Sequence, residues 1–339
     1  MVRTCTTFLL AFLAAPAAFA QAQPTTDPAL QPVLDKMSQY IASYGEKASL
    51  YVGVEKYTQS VQVGTIDPDK PPVRPFRVTA EFAIVKVPGE AGWVGYRDVV
   101  EYNGEKVSDR RDRLVSILTD PSADSTIVTK LADESARYNI GPISRNFNTP
   151  TATMFFFHRG NLDRFAFAKK ETKKIEGVET WEITFKETKR PCLVRTRSGQ
   201  DVPLEGSLWV NPGDGTIVRS RLVMRNFADQ MAPTSQQITM GGKGAVSATT
   251  PTGGQAALGA STAGGGIDFQ RIDSLADIDV VYSRHEQFGV WLPSKMTENY
   301  AGGLTIAKGK PAQAGTAITR ATYSDYKQFG TSVKINIPK

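Results

Sequence analysis

Two histidines and two cysteines are the whole stock of imidazole and thiol in the 339 residues. His285-Glu286 opens like a zinc-protease motif, in which a second His one helical turn later reaches the same metal. Position 289 is Gly, and His158 falls in a different predicted element. No metal site is therefore expected, and His285 reads as a surface imidazole on a strand. The run Gly259-Ala260-Ser261-Thr262-Ala263-Gly264 has one residue too many for a nucleophile elbow and lacks the strand-to-helix turn that such a serine needs. Cys192 follows Pro191 at a predicted strand start; a Cys/His pair with His158 or His285 stays open beside the plainer reading of an unpaired strand cysteine. Asp98 with Glu101, or Glu179 with Glu182, could do acid–base work if the two carboxyls faced each other across a cleft. On alternating strand positions the plainer reading is a solvated face. No catalytic residue and no cofactor are assigned.

Two groups could bind rather than react. Arg219, Arg221 and Arg225 share one face of a predicted strand, opposite Val218, Leu222 and Met224. They form either a ridge for anionic headgroups or glycans, or an ordinary solvated face. Phe155, Phe156, Phe157, Phe165 and Phe167 are the largest apolar concentration. They read either as core between a helix and a sheet, or as the lining of an apolar cavity beneath a helical cover.

The elements that would position these groups follow from periodicity. A helix is predicted over 29–44, with Val33, Leu34, Met37, Tyr40 and Ile41 at helical spacing and Gly45 as its stop. Leu50–Tyr57, Phe76–Ile84 and Trp93–Tyr102 read as neighbouring strands. In the second, Phe76, Val78, Ala80, Phe82 and Ile84 alternate with Arg77, Thr79 and Glu81, the pattern of a half-buried antiparallel strand. Residues 105–160 look helical: charges alternate over Asp109–Leu118, and Asp120-Pro121 is a helix start leading to about Tyr138. Thr149-Pro150 repeats that start before Met154-Phe155-Phe156-Phe157. Strands resume with Phe165/Phe167, Trp181/Ile183/Phe185, and the hairpin around Asn211-Pro212-Gly213-Asp214-Gly215. They end with Asp277–His285, Val290–Tyr300 and Ala317–Phe329, so that short turns favour a meander. Between them lies a Gly-rich loop, 231–270, predicted to be flexible. Nine of the 27 residues over 240–266 are Gly and one is charged, too little apolar area to offset the entropy of ordering.

Composition sets the class. Hydrophobic residues are 40% and charged residues 22%, so the chain is not a disordered one. The net charge of +6 comes from 40 bases among 34 acids, a mixed balance that argues against a nucleic-acid partner. Arg3, the apolar run Phe8–Phe19 and Ala18-Phe19-Ala20 together read as a signal peptide, residues 1–20, cleaved after Ala20. Export would leave 21–339 as a single β-rich domain in the periplasm or outside the cell. Cys5 would leave with the signal, and no other run approaches the length of a membrane span.

The layout resembles the LolA/LolB-like superfamily of periplasmic lipoprotein carriers and sensors. The resemblance rests on the N-terminal helix, three strands before a helical insert, and two local patterns. One is Gly206-Ser207-Leu208-Trp209-Val210-Asn211-Pro212 running through Asp214-Gly215-Thr216-Ile217-Val218-Arg219. The other is Trp291-Leu292-Pro293-Ser294-Lys295-Met296 followed by Ala321-Thr322-Tyr323-Ser324-Asp325-Tyr326; both look like outer-membrane lipoprotein-sorting proteins. Glu134-Ser135-Ala136-Arg137-Tyr138-Asn139-Ile140-Gly141 is similar to segments of exported bacterial proteins of unassigned function. The resemblance implies an α+β fold: a strongly curved antiparallel sheet, an unclosed half-barrel, covered on its concave face by α-helices.

The leading expectation is a non-catalytic envelope binding protein holding a lipid or lipoprotein acyl chain, or another apolar ligand, between sheet and helices. Met154, Phe155, Phe156 and Phe157 would line the cavity, with Phe76, Phe82 and Trp93 across the sheet. Alternatives are an interaction protein with a packed interior and an envelope protein partner, and a hydrolase of envelope glycans or esters.

Overall fold

The computed structural model describes residues 26–63, 74–86, 93–108, 127–140, 145, 148–195, 199–226, 239–240, 274–304 and 313–328. Its frame is one open antiparallel sheet of eleven strands. A first meander holds β1 (Tyr51–Val63), β2 (Phe76–Lys86), β3 (Trp93–Tyr102) and β4 (Glu105–Lys106). A second holds β5 (Phe165–Ile175), β6 (Val178–Glu187), β9 (Leu204–Val210), β10 (Ile217–Arg225), β12 (Leu275–His285), β13 (Val290–Leu304) and β14 (Gln313–Gln328). The spatial order is β4-β3-β2-β1-β14-β13-β12-β10-β9-β6-β5. The two meanders are sewn together by the pairing of β1 with β14, from Tyr51 opposite Gln328 to Val63 opposite Gly315. A single uninterrupted meander, as the turns suggested, would have left β1 far from the last strand. A small second sheet joins β7 (Val194–Arg195) to β8 (Asp201–Val202) and to β11 (Thr239–Met240).

The alternation in each strand sends one row of side chains to the covered face. Val78, Ala80, Phe82 and Ile84 are buried, as are Ala276, Ile278, Val280 and Tyr282. Register shifts interrupt five pairings: β1/β14, β2/β3, β5/β6, β9/β10 and β12/β13. Each extra residue sharpens the local twist, which curls the sheet into the expected half-barrel without closing it.

Helix α1 (Gln31–Ala48) lies on the covered face, burying Val33, Leu34, Met37, Ile41, Tyr44 and Ala48. A 3-10 turn, Pro28–Leu30, leads into it, with the Asp27 carboxylate accepting from the Ala29 amide at 2.9 Å. Gly45 does not stop this helix; it is buried one turn before the end. A Cβ there would sit 1.9 Å from Trp93 Cδ1, so glycine is what lets the indole lie against the helix backbone. The helical insert is reduced, among the described residues, to α2 (Ile127–Ala136), α3 (Ala152–Phe155) and a 3-10 turn at Arg159–Arg164. The helix predicted over Asp109–Leu118, its successor's start at Asp120-Pro121, and the Gly-rich loop beyond Met240 lie outside the described residues.

The covered face has two characters. Under α1 and α3 it is apolar: Phe157 packs on Phe165, Phe167 and Phe185 with ring centroids 5.0, 6.0 and 4.7 Å away. Under α2 it is ionic. Arg97 donates to Glu55 through Nη2 at 2.8 Å and also through Nε, and Tyr323 Oη donates to the same carboxylate at 2.7 Å. Arg97 also donates to the carbonyls of Ser135 and Asn148, at 3.4 and 3.2 Å. Arg145 donates to Gln59 Oε1 at 2.6 Å and to the Ile140 carbonyl at 2.7 Å. Asn148 donates to Tyr57 Oη at 2.9 Å. Every group in this set is at most 2% exposed or is backbone, except Tyr323 at 6% and the half-buried Ile140. Charges buried as deeply as Arg97 and Glu55 persist only when paired in this way; Arg145 is held by neutral acceptors, and its Nε finds no partner among the described residues.

Candidate functional site

The site residues expected to line an acyl cavity divide sharply. Met154, Phe156, Phe157 and Phe82 are 0–2% exposed and belong to the contiguous core. Phe155, Phe76 and Trp93 are half-buried at its margin. Phe76 stacks on Tyr102, and Trp93 packs on Tyr44. The first four are buried in the core, and the other three pack against it. The arginine ridge is likewise engaged. Arg219 makes a two-pronged pair with Asp279, through Nε at 3.1 Å and Nη2 at 2.7 Å, and lies over the Trp209 ring. Arg221 pairs with Asp277 at 2.6 Å and Arg225 with Glu205 at 2.8 Å. Each acid stands on the adjacent strand, so the ridge carries its own counter-charges. Glu182 is buried and meets Lys170 and Lys173, both at 3.7 Å. Among the described residues no three His, Cys, Asp or Glu side chains gather as metal ligands.

One open groove among the described residues lies elsewhere. A groove of about 660 Å³ runs between α1 and three strand turns. One wall is the face of α1 that carries Lys36, Tyr40, Ser43, Tyr44 and Lys47. The other wall is assembled from Val178 at the β5–β6 turn, Asp214 and Thr216 in the β9–β10 turn, and Arg284, Val290 and Trp291 around the β12–β13 turn. That volume is in the range of sites for small ligands.

Local sequence explains how the walls are held. The turn Asn211–Thr216 closes by the Asn211 amide donating to the Thr216 carbonyl at 2.9 Å and the Asp214 carboxylate accepting from the Thr216 amide at 2.9 Å. Gly215 takes φ of 80°, and a Cβ there would lie 2.3–2.4 Å from the backbone of Lys36 and Met37. Only glycine fits both the left-handed backbone and the close approach. Lys36 completes the seam, donating to the Pro212 carbonyl at 3.3 Å. At the other end of α1, Tyr44 packs between Tyr40 and Trp93, with centroids at 5.7 and 5.5 Å.

The groove is mixed in polarity. Lys36, Lys47 and Arg284 face it, against Asp214. The hydroxyls of Tyr40 and Tyr44, whose residues border the groove, are themselves sealed from solvent and find no hydrogen-bond partner among the described residues. Burial holds both phenols well above the usual phenol range, followed by repulsion from neighbouring groups. They are therefore neutral and present O–H donors. Beyond Trp291, His285 stacks on Phe288 and meets Tyr326 edge-on, which lowers its pKa by burial. Cys192 is buried, with its thiol pushed up to about 12 by burial first and the Glu187 charge second. Its side-chain partner is the Arg190 guanidinium, which donates to Sγ at 2.9 Å, and not a histidine.

Sequence periodicity located the helix, the hairpin and Trp291, but did not bring them together as a groove. Lys36, Lys47 and Arg284 stand in no motif that would single them out. The buried set Glu55, Arg97, Arg145 and Glu298 was missed too; the one available signal was a charge on the apolar phase of a strand, as at Glu55 between Gly53 and Tyr57.

No helix among the described residues is long and apolar enough to cross a membrane. No protein-family model matches the chain, and no curated protein matches it. Among solved structures, the chain is similar to a DUF1329 family protein from Desulfovibrio piger, at 6% identity over 89% of this chain and 94% of that one, TM-score 0.29. It is also similar to the MucA/MucB complex structure of Pseudomonas aeruginosa, at 11% identity over 87% and 99%, TM-score 0.19. A third similar structure is an outer membrane lipoprotein-sorting protein domain from Vibrio parahaemolyticus, at 9% identity over 89% of this chain and 94% of that one, TM-score 0.34.

Proposed function

We propose that the protein is a non-catalytic binding protein of the cell envelope, exported to the periplasm or beyond. It holds a lipid, a lipoprotein acyl chain or another apolar ligand between its N-terminal helix and the open sheet. The observation that carries this reading is the groove along α1, roofed by turns rather than by continuous strand and walled by Tyr40, Tyr44, Val290 and Trp291. Burial of an acyl chain contributes about 0.8 kcal/mol per CH₂, so a partly apolar cleft of this size drives association without chemistry. The Phe155–Phe157 cluster, on this reading, is the rigid base behind the helix rather than the lining.

The test is to express the exporting chain, purify it without detergent, and combine native mass spectrometry with lipid extraction. A bound species released on denaturation supports the reading and identifies its class. An apo mass with a lipid-free extract overturns it. That result would favour the second reading, an interaction protein with a packed interior. The interlocked rings of Phe157, Phe165, Phe167 and Phe185 speak for it.

A further inference from the structure

The groove is polar at particular places, and these places define a ligand chemistry. Lys36 and Lys47 stand on the same face of α1, eleven residues apart, so the helical rise separates them by about 16 Å. They serve opposite ends. At the Lys36 end the charge is compensated: Asp214 shares the groove, and Lys36 Nζ is engaged with the Pro212 carbonyl at 3.3 Å. Among the described residues that line the groove, Asp214 is the one acid. Arg284, near the end of β12 and also lining the groove, has as its partner Glu286 at 3.5 Å, with the two side chains 54% and 78% exposed. A pair so exposed contributes little and is readily exchanged for another anion. Between the ends lie Tyr40, Tyr44 and Trp291.

We propose that the groove takes an anionic amphiphile laid along α1, with its phosphate or carboxylate held by Lys47 and Arg284 and its apolar part running past Tyr44, Trp291 and Tyr40 towards the Lys36–Asp214 end. This rests on the reading of the cleft as a ligand site and adds the charge and the direction of the ligand. The cations disfavour a cationic ligand, and the ring walls favour one with an apolar body over a small hydrated anion.

The probe is dodecyl phosphate, with dodecanol and inorganic phosphate as its two halves, titrated calorimetrically into the purified full chain. Dodecyl phosphate should bind more tightly than either half. Lys47→Ala and Arg284→Ala should each weaken it by about fivefold or more, the loss of one charge-assisted contact. Lys36→Ala, at the compensated end, should change it by less than about twofold, and dodecanol should be indifferent to all three variants. All three side chains are solvent-exposed, so the variants fold. Equal binding of dodecanol and dodecyl phosphate overturns the anionic head while leaving the apolar-ligand reading standing. Inorganic phosphate binding as tightly as dodecyl phosphate overturns the amphiphile and leaves a free-anion site. Binding of none of the three overturns the inference, and the native mass spectrum then decides the broader reading separately.

Discussion

Arg97 on β3 and Glu55 on β1 form a two-pronged ion pair across β2, the strand between them. Ala80, opposite Glu55, is the small residue over which the pair closes. Both partners are sealed from solvent, and the same guanidinium holds the carbonyls of Ser135 and Asn148 in the cover. One arginine thus ties α2 and the segment after it to the sheet.

Removing one partner leaves the other charged and unpaired. Arg97→Met should cost about 3–5 kcal/mol in denaturant unfolding. Glu55→Leu with Arg97→Met should cost less than either single change, since the double variant buries no lone charge. Additive losses would show that the two residues are not coupled as described.

Gly45 sets helix propensity against packing. In an exposed helix Gly→Ala stabilises by up to about 1 kcal/mol. Here a Cβ meets the Trp93 indole at 1.9 Å, so Gly45→Ala should destabilise by about 1–3 kcal/mol and shift the Trp fluorescence. Trp93→Leu in the same chain should recover part of that loss. Stabilisation by Gly45→Ala alone would contradict the packing.

Phe157→Ala removes a ring held by three others and should cost about 3–5 kcal/mol. A loss under about 1 kcal/mol would mean that the ring borders open space, which would return the acyl-lining role to the Phe155–Phe157 cluster.

His285 has a folded pKa below its ordinary 6.5, with burial as the cause. The unfolded chain then takes up the proton first. The contribution is present above about pH 6.5 and is lost as pH falls from there through the folded value. Stability measured from pH 7.5 down to 5 should fall more steeply in the parent than in His285→Phe. Parallel curves would remove His285 from the account.

Cys192 should resist alkylation at pH 8 in the folded protein, because burial pushes its thiol up to about 12 and keeps it protonated. Labelling mapped to Cys192 should appear only with unfolding. Rapid reaction in the native state would show that the β7 region opens readily.

The strands, the covering helix and the turn at 211–215 were legible in the sequence because their signals are local. Alternation in Val78, Ala80, Phe82 and Ile84 reports which face is buried whatever lies above it. The helix at Val33–Ile41 does the same at its own period. One local signal misled. Gly45 looked like a helix stop because glycine ends helices through its backbone, but here its missing side chain makes room for Trp93. The arginines at 219, 221 and 225 left a ridge and a solvated face both open, because their partners, Asp279, Asp277 and Glu205, come from neighbouring strands.

What the sequence determined by itself is therefore the class: an antiparallel sheet, half buried, with amphipathic cover and an apolar aromatic store. The tertiary structure decided the rest. It paired β1 with β14, filled the space around Phe157, buried Arg97 against Glu55, and left Tyr40, Lys47, Arg284 and Trp291 around one groove. The reason is physical. Burial of a strand face depends on residues two apart, whereas ion pairs and cavities depend on residues that meet only after the sheet has curled, and no period along the chain encodes that meeting.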